Sequence, residues 1–482
     1  MKNWLVGLLI LSALPSYATQ SSLPWPEASP ASLGIDAQGF KDFEDRAFTD
    51  TDLWRTDSIV IIYKGKLAYQ RYAHGYSAEM RHISWSMAKS FTAIVFGIAA
   101  DKNLISGTDR LSDFYGDVAS TPEQLARMQN VSMFNELNMD SGRQWVEDYT
   151  TTGSLSSTIV QMNYLNGHKD MAAYTAAQPL TDPPGAKFLY SSGSPNVIMG
   201  ALKKRLGEAY AKFPQDNLFG KIGMTNVVWE RDASGTFLGG TNIYATPLDY
   251  ARFGYLLLNN GSWDGQPIVS KEWIDYVRIV SPALTSGTVV PDKLIRNHLA
   301  YGAGFWLNTP VPRFGIPKPF ADIPADAYYA HGHEGQLIVV IPSLDLVVVR
   351  TAHDNADAME ADARRDINGF LKPLLHALPN YTSDGSPVLP PVQPLPGESF
   401  FSKLALLGEF WSVRDLVGAL RAKDYCSCRF IVGQTPAYCQ AWVRHGIPDF
   451  LGHPSEDPAT SSVTVNGRRA YKVDDQTGCL LE

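Results

Sequence analysis

The strongest constraint on this chain is a pair of strand-forming apolar hairpins at opposite ends of one long stretch. Ser58-Ile59-Val60-Ile61-Ile62-Tyr63 reads as a buried strand, Lys64-Gly65 as a turn, and Lys66 to Tyr72 as the returning strand. Far downstream, Leu337 to Ile341 and Leu344 to Val349 are apolar runs joined by Pro342-Ser343, a second hairpin. Between them the period changes. Phe91, Ile94, Val95, Ile98 and Ala99 recur at helical spacing, so a core-facing helix is expected to begin near Ser86. Ala37 to Phe48 and Ala356 to Leu378 also read as helices, and Asp113 to Thr246 as helices and loops broken by Gly and Pro. Strands at both ends with helices between predict an α+β domain over residues 19–378. Its expected form is a mostly antiparallel sheet flanked by helices, with a mostly helical insertion.

The ends carry different signals. Met1-Lys2-Asn3, the apolar run Trp4 to Leu14 and then Pro15-Ser16-Tyr17-Ala18 fit a signal peptide over 1–18, cleaved after Ala18. The run is shorter than the about 20 apolar residues of a membrane anchor, so no insertion is expected after cleavage and the mature protein should be periplasmic or secreted. Pro379, Pro387, Pro390, Pro391, Pro394 and Pro396 read as an extended linker over 379–397. Residues 398–482 follow as a small C-terminal appendage, with a helical stretch near Leu404 to Leu420 and all four cysteines, Cys426, Cys428, Cys439 and Cys479. An even count in an exported chain predicts local disulfides. Cys426 and Cys428 are too close for an easy bond to each other, so each is expected to pair with Cys439 or Cys479. A cysteine zinc site is the poorer alternative, because no CxxC spacing is present. The net charge of −8 argues against a nucleic-acid partner, which would call for a basic patch.

Chemistry is concentrated in three short elements. Ser86-Met87-Ala88-Lys89 places a serine and a lysine on one face of a helix start, so the amine can reach the hydroxyl. A serine hydroxyl needs a base to become a nucleophile, and lysine serves only if burial or a neighbouring cation lowers its pKa. The helix N-terminus favours charge developing on the serine oxygen. Alone the tetrapeptide is weak, since about one chance match is expected in a chain with this many serines and lysines. Tyr190-Ser191-Ser192 lies between a Pro183-Pro184-Gly185 turn and a helix expected near Pro195, where a phenol can face a cleft and shuttle a proton. His331-Gly332-His333-Glu334-Gly335-Gln336 enters the strand Leu337 to Ile341, and its glycines let a ligand approach the backbone.

These three elements, in this order, resemble the serine β-lactamase and DD-peptidase superfamily on its class C side. That side carries S-x-x-K, then Y-x-N or a Y-S-x variant, then K-T-G or H-x-G. Leu137-Asn138-Met139-Asp140-Ser141-Gly142 with Trp145, Gly239-Gly240 with Thr246 to Gly254, and Tyr301-Gly302-Ala303-Gly304-Phe305-Trp306 agree, over residues 30 to 375. Within the superfamily the chain is most similar to the 6-aminohexanoate-dimer hydrolase and esterase branch. Ser192 stands where a β-lactamase has asparagine, and His333-Glu334-Gly335 where it has Lys-Thr-Gly. The second change removes a cation that would hold a β-lactam carboxylate and adds a negative charge.

The resemblance implies a cofactor-free hydrolase of small amides or esters. Ser86 would be the nucleophile, Lys89 its proton acceptor and Tyr190 the base and acid serving the leaving group. Backbone N–H groups of Ser86 and Gln336 would form the oxyanion hole, with His333, Gly335 and Ser192 lining the cleft. Trp145 and Asn242 are further candidates for substrate contact, with core packing the alternative for Trp145. Three other readings compete: a cell-wall DD-peptidase or weak β-lactamase, a silent peptidoglycan-binding protein, and zinc on His331-x-His333. The last lacks a second ligand cluster in the sequence, and no metal is expected.

Overall fold

The computed structural model describes residues 25–51, 54–147, 157–289, 299–354, 363–379, 381–385, 410–443 and 451–482. The expected signal peptide and most of the proline-rich linker lie outside the described residues. Seven antiparallel strands form the main sheet. Their spatial order is Lys66–Tyr72, Thr56–Tyr63, Leu346–Ala352, Gln336–Ile341, Tyr328–Gly332, Trp306–Leu307 and Ala300–Tyr301. The two hairpins read from sequence therefore meet in the middle of one sheet, where Val60 pairs with Val349 and Ile61 with Val348.

Both faces of this sheet are covered, which explains why its central strands are continuously apolar instead of alternating. Val60, Ile62, Ile338, Val340, Val347 and Val349 face one core, shared with the helices Ala88–Asp101 and Pro247–Leu258. Ile59, Ile61, Leu337, Val339, Ile341 and Val348 face the other, closed by the helices Ala37–Phe48 and Ala363–Ala377. The second pair is tightly apposed, with the Phe43 and Phe370 rings 5.3 Å apart. The C-terminal helix of the domain is described over Ala363–Ala377, and the part of the expected helix before Ala363 lies outside the described residues. The arrangement is the antiparallel sheet flanked by helices expected from the sequence.

A small sheet of His82–Ile83, Ile243–Ala245 and Val228–Trp229 ties the segment before Ser86 to a distant loop. The Ser84 N–H donates to the Ile243 carbonyl at 2.7 Å, and the Ile243 N–H donates to Ser84 Oγ at 3.0 Å.

The tail holds the helices Phe410–Cys426 and Pro436–Trp442 and a four-stranded antiparallel sheet within Ser455–Leu481. Cys426 is bonded to Cys479 and Cys428 to Cys439, in keeping with the expectation that neighbours do not pair. Among the described residues, most of the buried apolar side chains of this segment belong to one cluster shared with the domain. Leu416, Tyr425, Cys426 and Val463 bury against Ile83, Trp145, Val228 and Tyr244. Among the described residues no helix is long and apolar enough to cross a membrane.

Candidate active site

Ser86 sits half-buried in a 3-10 turn, Trp85–Met87, that leads into the helix Ala88–Asp101. Trp85 has φ +44°, a conformation disfavoured for a bulky side chain and maintained only where surroundings fix it. Its indole Nε1–H donates to Glu334 Oε2 at 3.4 Å, and the His333 ring meets it edge-on at 5.7 Å. The end of the strand Tyr328–Gly332 is pressed against the same turn. A Cβ on Gly332 would lie 2.1 Å from the Ser84 carbonyl oxygen, so only glycine allows the approach. Gly332 pairs with Gln336, which brings the Gln336 backbone to the side of the Ser86 turn.

The connection between those two strands is braced from behind. Arg350 and Asp354 have fully buried side chains joined by two hydrogen bonds of 2.6 and 2.7 Å. Arg350 also donates to the Gly335 carbonyl at 3.2 Å. Gly335 has φ +80°, and a Cβ there would lie 2.2 Å from Arg350 Nη1. Gln336 is fully buried, and its side-chain amide donates to the His333, Glu334 and Ala352 carbonyls. His333 itself is exposed at the rim, whereas Glu334 is buried beside Trp85.

Lys89 is 2% exposed, and its ammonium protons have three acceptors: Ser86 Oγ at 2.8 Å, Ser192 Oγ at 2.8 Å and the Gly240 carbonyl at 3.0 Å. Burial pushes the lysine down to about 8, against the opposing pull of the Glu147 carboxylate. Tyr190 also lies beside Ser86, close enough for the serine hydroxyl to act on its phenol. Its ring lies 4.8 Å from Lys89 Nζ and stacks on Trp306 at 5.5 Å. Burial raises the phenol above its ordinary range, as does Glu147, so it stays protonated at neutral pH.

Three of the expected substrate contacts are engaged elsewhere. The Ser192 hydroxyl bridges Lys89 and Glu147. Trp145 is 5% exposed and donates from Nε1 to Glu147 Oε2 at 2.6 Å, so it supports the site from within the core. Asn242 is 6% exposed and donates to Glu230 Oε2 at 2.8 Å, while its amide oxygen accepts from Thr241 Oγ1. Polar side chains this deeply buried are held by internal partners.

Two site components were missed in the sequence. Glu147 belongs to no motif, and its only trace was proximity to Trp145. The Gly240 carbonyl is a backbone atom. Its signal was the Gly239-Gly240 pair, which lets the loop close on the helix Gly193–Leu206: a Cβ on Gly240 would meet the Ser192 carbonyl at 2.5 Å. Among the described residues, one group of three potential metal ligands occurs, Asp57, His82 and His353. Asp57 Oδ2 there accepts from His82 Nε2 at 3.1 Å and His353 Nδ1 at 2.5 Å, and neither His331 nor His333 takes part.

A serine hydroxyl with a buried amine and a phenol near it, next to the end of an inner strand of an antiparallel sheet, makes a candidate hydrolase site. A family model described as Beta-lactamase matches residues 47–369, and the chain belongs to that family. It resembles the 6-aminohexanoate-dimer hydrolase of Paenarthrobacter ureafaciens, with 21% identity over 227 residues. That match takes in 46% of this chain and 57% of the relative, so the chain spans just over half of that protein's length. Two solved structures share the fold. A Bacillus anthracis protein described as a candidate 6-aminohexanoate-dimer hydrolase superposes with TM-score 0.53 at 20% identity, covering 68% of this chain and 82% of its own. EstCE1, described as a hydrolase with promiscuous acyltransferase activity, superposes with TM-score 0.51 at 13% identity, covering 71% and 98%.

Proposed function

We propose that this protein is an exported serine hydrolase that cleaves a small ester or linear amide through an acyl-enzyme on Ser86. The observation that carries this reading is the 2.8 Å contact between Lys89 Nζ and Ser86 Oγ, with the lysine pushed down to about 8. In its neutral form the amine accepts the Ser86 proton as Oγ bonds to the substrate carbonyl carbon. The Ser86 and Gln336 N–H groups hold the resulting oxyanion, each worth roughly 10²–10³ in rate. Collapse breaks the carbon–oxygen or carbon–nitrogen bond, and the leaving group takes a proton delivered through Tyr190, which Lys89 restores. Water then attacks the ester carbonyl, gives its proton back through the same groups and frees Ser86.

His333 in place of a lysine, with Glu334 adding a negative charge beside Trp85, supports esters and uncharged amides over β-lactams. The apolar run Trp4 to Leu14 and the two disulfides support export to the periplasm or beyond.

Fluorophosphonate labelling of purified protein, followed by turnover of esters, linear amides, D-Ala peptides and β-lactams, tests the reading. Labelling at Ser86 and ester or linear amide turnover are expected, with kcat falling by more than ~10³-fold in Ser86→Ala. A Ser86→Ala variant that keeps more than a few per cent of turnover places the nucleophile elsewhere. Stable acylation by penicillin, without ester turnover, makes the protein a DD-peptidase type.

A further inference from the structure

Glu230 is fully buried at the seam between the domain and the tail, and four donors converge on its carboxylate. Three come from the tail: the Lys423 ammonium, Ser427 Oγ at 2.8 Å and the Cys479 N–H at 3.0 Å. Lys423 and Ser427 flank Cys426, and Cys426 is disulfide-bonded to Cys479. The cross-link therefore joins the two tail segments that supply these donors. The fourth donor is Asn242 Nδ2 at 2.8 Å, from the domain.

Asn242 lies in the loop that holds the catalytic groups in place. Two residues before it, the Gly240 carbonyl accepts from Lys89 Nζ. One residue after it, Ile243 exchanges hydrogen bonds with Ser84, next to the turn that carries Ser86. The Glu230 N–H donates to the Asn242 carbonyl at 3.1 Å, so the two residues are fixed by both side chain and backbone. Asn242 also has φ +60°, a conformation this bond helps maintain. Buried hydrogen bonds thus run from the disulfide-linked tail through Glu230 to Asn242, and two residues of backbone lead from there to the Gly240 carbonyl that accepts from Lys89. Such a network is effective only if every member is satisfied.

We propose that the C-terminal segment is part of the catalytic apparatus, with Glu230 and Asn242 as positioning residues that set the Gly240 carbonyl against Lys89. This rests on the reading of Lys89 as the base for Ser86. The carbonyl dipole stabilises the ammonium and fixes the direction of the amine. Loosening it lowers the pKa of Lys89 and costs alignment with Ser86.

The decisive variant is Asn242→Gly, because glycine accepts φ +60° and only the side-chain link is cut. The rate of Ser86 labelling by fluorophosphonate and kcat/KM across pH are measured for wild type, Asn242→Gly, Glu230→Gln and Glu456→Gln. Glu456 pairs with Arg429 and Tyr425 inside the tail and has no contact with Glu230, so it controls for general loosening. Asn242→Gly is expected to lose roughly tenfold in kcat/KM and labelling rate, with KM little changed and the acid limb of the pH profile moved to lower pH. Glu230→Gln should do the same with a lower Tm, and Glu456→Gln should lower Tm alone. Wild-type labelling rate and pH midpoint in Asn242→Gly overturn the proposal, even if Glu230→Gln fails to fold. A Glu456→Gln profile that shifts as far as that of Asn242→Gly overturns it too. A wild-type protein that is not labelled at Ser86 defeats the hydrolase reading itself.

Discussion

Ser192 and Glu147 lie 45 residues apart and are joined twice: the Ser192 N–H donates to Glu147 Oε2 at 2.9 Å, and its hydroxyl donates to Oε1. Because the same hydroxyl accepts from Lys89, a carboxylate stands one hydrogen bond behind the base candidate. Glu147 thereby opposes the burial that lowers the lysine, and keeps it at about 8.

The pH profile reads this balance directly. The base must be unprotonated to accept the Ser86 proton, so wild-type kcat/KM should rise with pH and level off above a midpoint near about 8. Glu147→Gln removes the negative charge while keeping the side-chain volume, so Lys89 loses its proton more readily. The midpoint should fall by up to about one unit. A midpoint that stays put or rises would show that the charge of Glu147 does not reach the lysine.

Trp145→Phe separates support from substrate contact. The substitution keeps an aromatic ring in the core but deletes the Nε1–H that donates to Glu147 at 2.6 Å. A hydrogen bond to a charged group is worth about 1.5–3 kcal/mol, so Glu147 loses part of its hold. Steady-state kinetics should give a several-fold lower kcat at nearly constant KM. A raised KM at unchanged kcat would return Trp145 to the substrate.

Asp354→Ala tests the brace behind Gly335. The Arg350 guanidinium is fully buried, and without its partner it becomes an uncompensated charge. Denaturant unfolding should register a loss of about 3–5 kcal/mol. A loss below one kilocalorie would mean that the pair does not hold the strand connection.

Much of the scaffold was legible in the chain because its signals are local. The strand runs at 58–63 and 337–341 and the helix at 37–48 follow from side-chain period alone, and they appear at those places with shifts of a residue or two. The i, i+3 spacing of Ser86 and Lys89 also survived, since one helical turn fixes the geometry. Tyr190 was singled out by its place between a turn and a helix and given its role by resemblance, as its partners are far away in the chain. Asn242, read as a substrate contact, and Trp145, read as a contact or as core packing, are both buried against internal partners, and only burial shows which way a polar or aromatic residue near a motif faces.

The sequence by itself determined the sheet-and-helix frame, the serine–lysine pair and the restricted choice of cysteine partners, all properties of period, spacing or count. Tertiary structure alone decided what surrounds Lys89. Ser192, the Gly240 carbonyl and Glu147 reach it from separate segments, and the tail reaches it through Glu230 and Asn242. The pKa of a buried amine is set by desolvation and by charges within a few ångströms, and such neighbours exist only once distant parts of the chain have packed together.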